Sequence, residues 1–83
     1  MEHNQRLKSA ILEVVQNQLD ANDPPETKQT LDRLIAEGFS KKEAKKLLGT
    51  VVASEVFEVI NAGEPFDQKR YVAALNRLPE VPE

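Results

Sequence analysis

The chain has 83 residues, 40% hydrophobic and 30% charged, enough for one small core-forming domain over residues 1–83 and too apolar to be disordered. It has no cysteine, which excludes a disulfide scaffold and a thiolate zinc site and fits a reducing compartment. Eleven basic residues against 14 acidic ones give a net charge of −3, the opposite of the basic excess that nucleic-acid binding uses.

No segment approaches the roughly 20 apolar residues that cross a bilayer, so neither nucleic acid nor membrane is an expected partner. Met1-Glu2-His3-Asn4-Gln5-Arg6 opens with an acid and leads into an amphipathic segment. It does not read as a secretory signal, and the expected location is the cytoplasm.

The first helix is expected from about Gln5 to Leu19. Leu7, Ala10, Ile11, Val14, Val15 and Leu19 recur at the helical spacing of three and four, with Leu12 widening the stripe. Asn22-Asp23-Pro24-Pro25 stops it, because the residue before a proline avoids the helical region. Asp23 is expected to cap the second helix, with Pro24 at its first position and Glu26 completing a capping box. Leu31, Leu34 and Ile35 form its inner face, and Gly38 supplies a left-handed end.

Ser40 and Glu43 form a second capping box, with Phe39 placed to staple against Ala44. The third helix runs from Lys41 to about Ala62 and ends at Gly63. Between Leu47 and Ile60 it is apolar on almost every side, the mark of a central helix touched by several neighbours. Gly49 in its interior suggests a close crossing where a side chain does not fit. Asp67 caps the fourth helix, which runs to about Leu78, with Phe66 packing on Tyr71 and with Tyr71, Val72, Leu75 and Leu78 inward. Residues 1–4 and 79–83 are expected to fray. The expected fold is all-α: a compact bundle of four helices around a long central third helix, with neighbours antiparallel across short connections.

Two polar residues disagree with their positions. At about 100° per residue, Gln18 falls within the stripe of Leu7, Ile11 and Val14, and Glu55 falls between Ala44, Leu48 and Val59. A buried carboxylate must be paired, hydrogen-bonded or neutralised. Gln18 and Glu55 are therefore a candidate buried polar pair, either a structural hydrogen bond or a small polar pocket. Lys41-Lys42-Glu43-Ala44-Lys45-Lys46 is the only basic cluster. It reads as a solvated face, with no aromatic residue interleaved for base stacking. His3 is the only histidine, so no histidine metal site and no positioned catalytic base are expected. There is no glycine-rich phosphate loop, and the three serines Ser9, Ser40 and Ser54 lack a histidine partner that the sequence can place.

Several elements together resemble a family of small all-helical bacterial proteins of unknown function. They are Asn17-Gln18-Leu19, Asp23-Pro24-Pro25-Glu26, Arg33-Leu34 with Glu37-Gly38-Phe39, Leu48-Gly49-Thr50-Val51-Val52 with Glu55, Gly63-Glu64-Pro65-Phe66-Asp67, Arg70-Tyr71 and Leu78-Pro79. The resemblance spans about residues 7 to 79. It implies the helical fold. Many members carry a His-x3-His pair on the first helix and a His-Glu-x2-His run on the third, which look like a metal site. Here those positions are Lys8, Leu12, Lys42 and Lys46, with only Glu43 kept, so the resemblance implies no metal bound in that way.

The expectation is a non-catalytic helical module with no catalytic residue, metal or cofactor. It acts by protein contact or self-association, or as a scaffold. The alternative is a small ligand-binding or enzymatic domain with a polar pocket around Glu55 and Gln18.

Overall fold

The described residues form four helices: α1 (Glu2–Ala21), α2 (Pro25–Ala36), α3 (Lys41–Ala62) and α4 (Gln68–Arg77). They come from a computed structural model that describes residues 2–82, with side chains from residue 5 onward; Met1, Glu83 and the side chain of His3 lie outside the described residues. Among the described residues there is no strand. Helix α1 starts earlier than the frayed end expected for residues 1–4, since no glycine or proline interrupts the chain before Pro24.

The helix ends show how the sequence sets the boundaries. Asn22 adopts a left-handed φ of 52°. The Asp23 N–H then reaches back to the Gln18 carbonyl at 3.1 Å and the Asn22 N–H to Leu19 at 3.2 Å, which closes α1 in a Schellman motif. Gly38 does the same for α2, with φ 108° and bonds from Phe39 to Leu34 and from Gly38 to Ile35.

The start of α2 corrects an expectation. Asp23 is not its cap. Pro24 is, in an extended conformation, with Pro25 at the first helical position and no side-chain cap bond. The reason is local: Pro24 itself precedes a proline, so it too is held out of the helical region. The helix begins one residue late, Glu26 falls one position short of a capping box, and Asp23 serves instead to close α1.

The other two starts follow the sequence. At α3, Ser40 Oγ accepts from the Glu43 N–H at 3.1 Å, and Glu43 Oε1 accepts from the Ser40 N–H at 2.9 Å. At α4, Asp67 Oδ1 accepts from the Lys69 and Arg70 N–H groups at 3.0 and 3.3 Å, and the rings of Phe66 and Tyr71 lie 5.8 Å apart.

The core gathers Val15, Leu31, Leu34, Ala44, Leu48, Val51, Val52, Tyr71, Leu75 and Leu78, with Ile11, Leu19, Phe39, Leu47 and Ala74 packed on its edge. Helix α3 touches all three others, and α2 touches α1 and α4 as well. Lys45 meets Gln16, Gly49 meets Ile11 and Leu12, and Ala53 lies across from Leu7, so α1 and α3 run in opposite senses. That arrangement differs from a simple up-down-up-down bundle, in which the first and third helices run parallel.

Only the first part of α3 is a central post. Val59 lies on the same face as Leu48, Val52 and Glu55 yet is 37% exposed, so the core ends at Glu55. Helix α3 is about 33 Å long, whereas α2 and α4 are only about 18 and 15 Å and cannot cover its full length. The expected stripe on α1 is also narrower. Val15 is buried, Ile11 and Leu19 are half-buried, and Leu7, Ala10 and Val14 are exposed. On α2, Ile35 is exposed, and Thr27 and Thr30 join Leu31 and Leu34 inside.

Candidate functional site

Gln18 and Glu55 are both drawn inward, but not toward each other. The Gln18 side-chain carbonyl accepts from Thr27 Oγ1 at 2.9 Å and from the Tyr71 hydroxyl at 2.8 Å. One amide thus ties α1 to α2 and α4. Glu55, 7% exposed, accepts from Arg70 Nε at 3.1 Å and from Arg70 Nη2 at 2.5 Å. This is the forked geometry that suits guanidinium to carboxylate.

The second Arg70 nitrogen arm, Nη1, reaches Glu64 at 3.3 Å. Glu55, Asp67 and Glu64 around this guanidinium raise its already high pKa further. The expected Gln18–Glu55 pair is therefore two separate networks, meeting α4 at the neighbouring residues Tyr71 and Arg70. Burial pushes the Tyr71 hydroxyl pKa upward, and the neighbouring Thr27 and Gln18 side chains partly offset this.

Each member has its partners. Both Glu55 oxygens are taken, and both hydroxyls point at Gln18. The main surface grooves are lined by other residues, not by Gln18 or Glu55. This arrangement locks helices together, and it offers no free acid, base or nucleophile to a substrate.

Sequence reasoning missed Thr27, Arg70 and the Tyr71 hydroxyl as partners. It also missed Arg33, whose Nη1 donates to the Leu78 carbonyl at 2.8 Å and whose Nη2 donates to Leu75 at 3.1 Å. Arg33 thereby satisfies the open carbonyl end of α4, where a cation is favoured.

The basic cluster is mostly solvated, as expected: Lys41, Lys42 and Lys46 are exposed. Lys45 differs, since its Nζ donates to Gln16 Oε1 at 2.7 Å. Among the described residues, no three histidine or carboxylate side chains converge as a ligand set. Lys8, Leu12 and Lys46, three of the four positions at which the resemblance places imidazoles, line one groove.

That groove lies between α1 and α3. Leu7, Ile11, Leu12, Gly49, Thr50 and Ala53 line it, with Lys8 and Lys46 on its walls, and it holds about 360 Å³. Gly49 sets its depth: a methyl added there stands 3.3 Å from Ile11 Cγ2 and 3.7 Å from Leu12 Cδ2. The close crossing expected at Gly49 is present. By the helical period, the same α3 face continues from Ala53 to Val56, Phe57 and Ile60. Phe57 is 63% exposed, Ile60 72%, and Leu7 across the groove 60%.

No family model, curated protein or solved structure matches this chain.

Proposed function

We propose that this protein is a small non-catalytic helical module that acts by protein contact, through the apolar face shared by α1 and α3. The observation that carries the reading is the exposure of Leu7, Phe57 and Ile60 along one line beside an apolar groove. Scattered surface hydrophobics are ordinary, but a contiguous apolar strip with charged walls marks a contact surface. The satisfied networks at Gln18 and Glu55 support a structural role for those residues, which speaks against the alternative of a ligand or enzymatic pocket around them.

The lack of cysteine supports a reducing, cytoplasmic setting, and the acidic balance speaks against nucleic acid as partner. No helix among the described residues is long and apolar enough to cross a membrane. The shared sequence elements support kinship with the small helical family they resemble.

Light-activated cross-linking tests the contact face. A cross-linker placed at position 57 is expected to yield a defined adduct, with a second copy or a second protein. One placed at Asp32, exposed on α2, is expected to yield none. Equal yields from the two positions, or none from position 57, refute the reading. A melting screen against small ligands tests the alternative, because a ligand bound only by the folded form raises stability.

A further inference from the structure

The groove between α1 and α3 carries charge of one sign. Lys8 and Lys46 stand on opposite walls, and among the described residues no carboxylate lines it. Lys42, one turn before Lys46, extends the same face by the helical period. Among the described residues none of these three lysines has a carboxylate within ion-pair distance. In a chain of net charge −3, this is a local basic rim around an apolar floor.

The floor is also long. From Gly49 to Ile60 the face runs about 17 Å, and from Lys42 about 27 Å, at 1.5 Å per residue. That length matches three to five turns of a helix laid along it.

Resting on the contact face proposed above, we infer that its occupant is an acidic amphipathic helix of another protein. Its apolar side chains, spaced three and four apart, sit on Gly49, Ala53, Phe57 and Ile60, and its carboxylates meet Lys8, Lys42 and Lys46. Charge decides against a second copy. A two-fold contact buries the same patch from both chains, which brings two sets of lysines and no carboxylate from the groove into one interface. Shape decides against a bilayer, because the floor at Gly49 is sunk between two helices.

The test uses the full chain and two labelled peptides of about 18 residues, long enough for the 27 Å face. Both have leucine at the same three-and-four spacing. One carries glutamate at the other helical positions and the other carries lysine. By fluorescence anisotropy at low salt the acidic peptide is expected to bind at least about fivefold tighter, with the advantage shrinking as salt rises. Lys8→Glu combined with Lys46→Glu is expected to reverse the preference, and Phe57→Asp to weaken binding of both peptides.

Equal affinities, or a preference for the basic peptide, overturn the inference. If neither peptide binds but the chain self-associates and Phe57→Asp abolishes that, the inference fails and the contact face stands. If neither binds and the chain stays monomeric, or if it binds anionic phospholipid vesicles instead, both fail.

Discussion

Arg70 and Tyr71 are adjacent in sequence and finish two different buried networks, so they separate the weight of each. Tyr71→Phe removes one hydroxyl and leaves Gln18 with Thr27 alone. It is expected to cost about 0.5–1.5 kcal/mol, the worth of a typical hydrogen bond. Arg70→Ala leaves the buried Glu55 carboxylate without its fork, and an uncompensated buried charge is the more damaging defect. It is expected to melt below Tyr71→Phe, and the reverse order in thermal melts contradicts the assignment of the Glu55 network.

The caps make a second residue-scale comparison. Ser40→Ala is expected to cost about 0.5–2 kcal/mol, whereas Asp23→Ala, which keeps the backbone N–H that closes α1 and removes a side chain that caps no helix, stays within about 0.5 kcal/mol. The Ser40 effect depends on pH. The backbone N–H of Ser40, then its hydroxyl, hold the Glu43 carboxyl below its ordinary value of 4.5. A lowered folded-state pKa gives stability that is present above the unfolded value and lost as pH falls through the folded one. The Glu43 contribution is thus intact at neutral pH and disappears below about pH 4.5. Tyr71 acts at the other limb: its raised pKa gives stability that is complete below its ordinary value of 10.0 and lost as pH rises beyond it. Melting curves from pH 3 to pH 11 check both limbs.

Among the elements, α3 decides the most, and it was only half legible. Its start was readable because Ser40 and Glu43 have the spacing that two reciprocal bonds require. Its apolar run from Leu47 to Ile60 predicts a central helix touched by several neighbours throughout, because a helical wheel shows which faces are apolar and not whether a neighbour is long enough to cover them. The error at α2 is different in kind. The deciding signal lies in Pro24-Pro25, since each proline restricts the residue before it, and it overrides the start signal that an aspartate before a proline gives.

Gly49 tests the α1–α3 crossing. Alanine gains about 1 kcal/mol of helix propensity, and its methyl asks Ile11 to yield a few tenths of an ångström. Ile11 is half-buried beside an open groove, so the two terms nearly cancel. Gly49→Ala is expected to change stability by less than about 1 kcal/mol, and Gly49→Leu to lower it by about 1–3 kcal/mol through overpacking. Chemical denaturation of both variants measures this, and a large loss with alanine means that the helices cannot shift at all.

For the molecule as a whole, four helices, their order and most of their ends were written in glycine, proline and cap residues. Partner choice inside the core was not. Gln18 and Glu55 were each recognisable as polar residues in apolar stripes, but which helix faces them depends on the opposite senses of α1 and α3, a property of the assembly. The proposed contact face was hidden as well, since a helical wheel marks Phe57 and Ile60 as apolar without showing that they stand 63% and 72% exposed.

One expectation belongs to this scale as well. The protein is expected to bind no transition metal tightly, because lysine ammoniums repel a cation and donate no lone pair. Elemental analysis of untagged, dialysed protein checks it, and one equivalent of zinc or iron reopens the enzymatic alternative.

The central claim is that Phe57 and Ile60 belong to a contact surface and not to the core. The most direct measurement pairs thermal melting with binding for the double variant Phe57→Asp, Ile60→Asp. It is expected to melt within a few degrees of the parent, since both side chains already stand mostly in water, and to lose the adduct that a cross-linker at position 7, across the groove on the same face, gives with the parent. A variant that unfolds, or one that melts and binds like the parent, contradicts the claim.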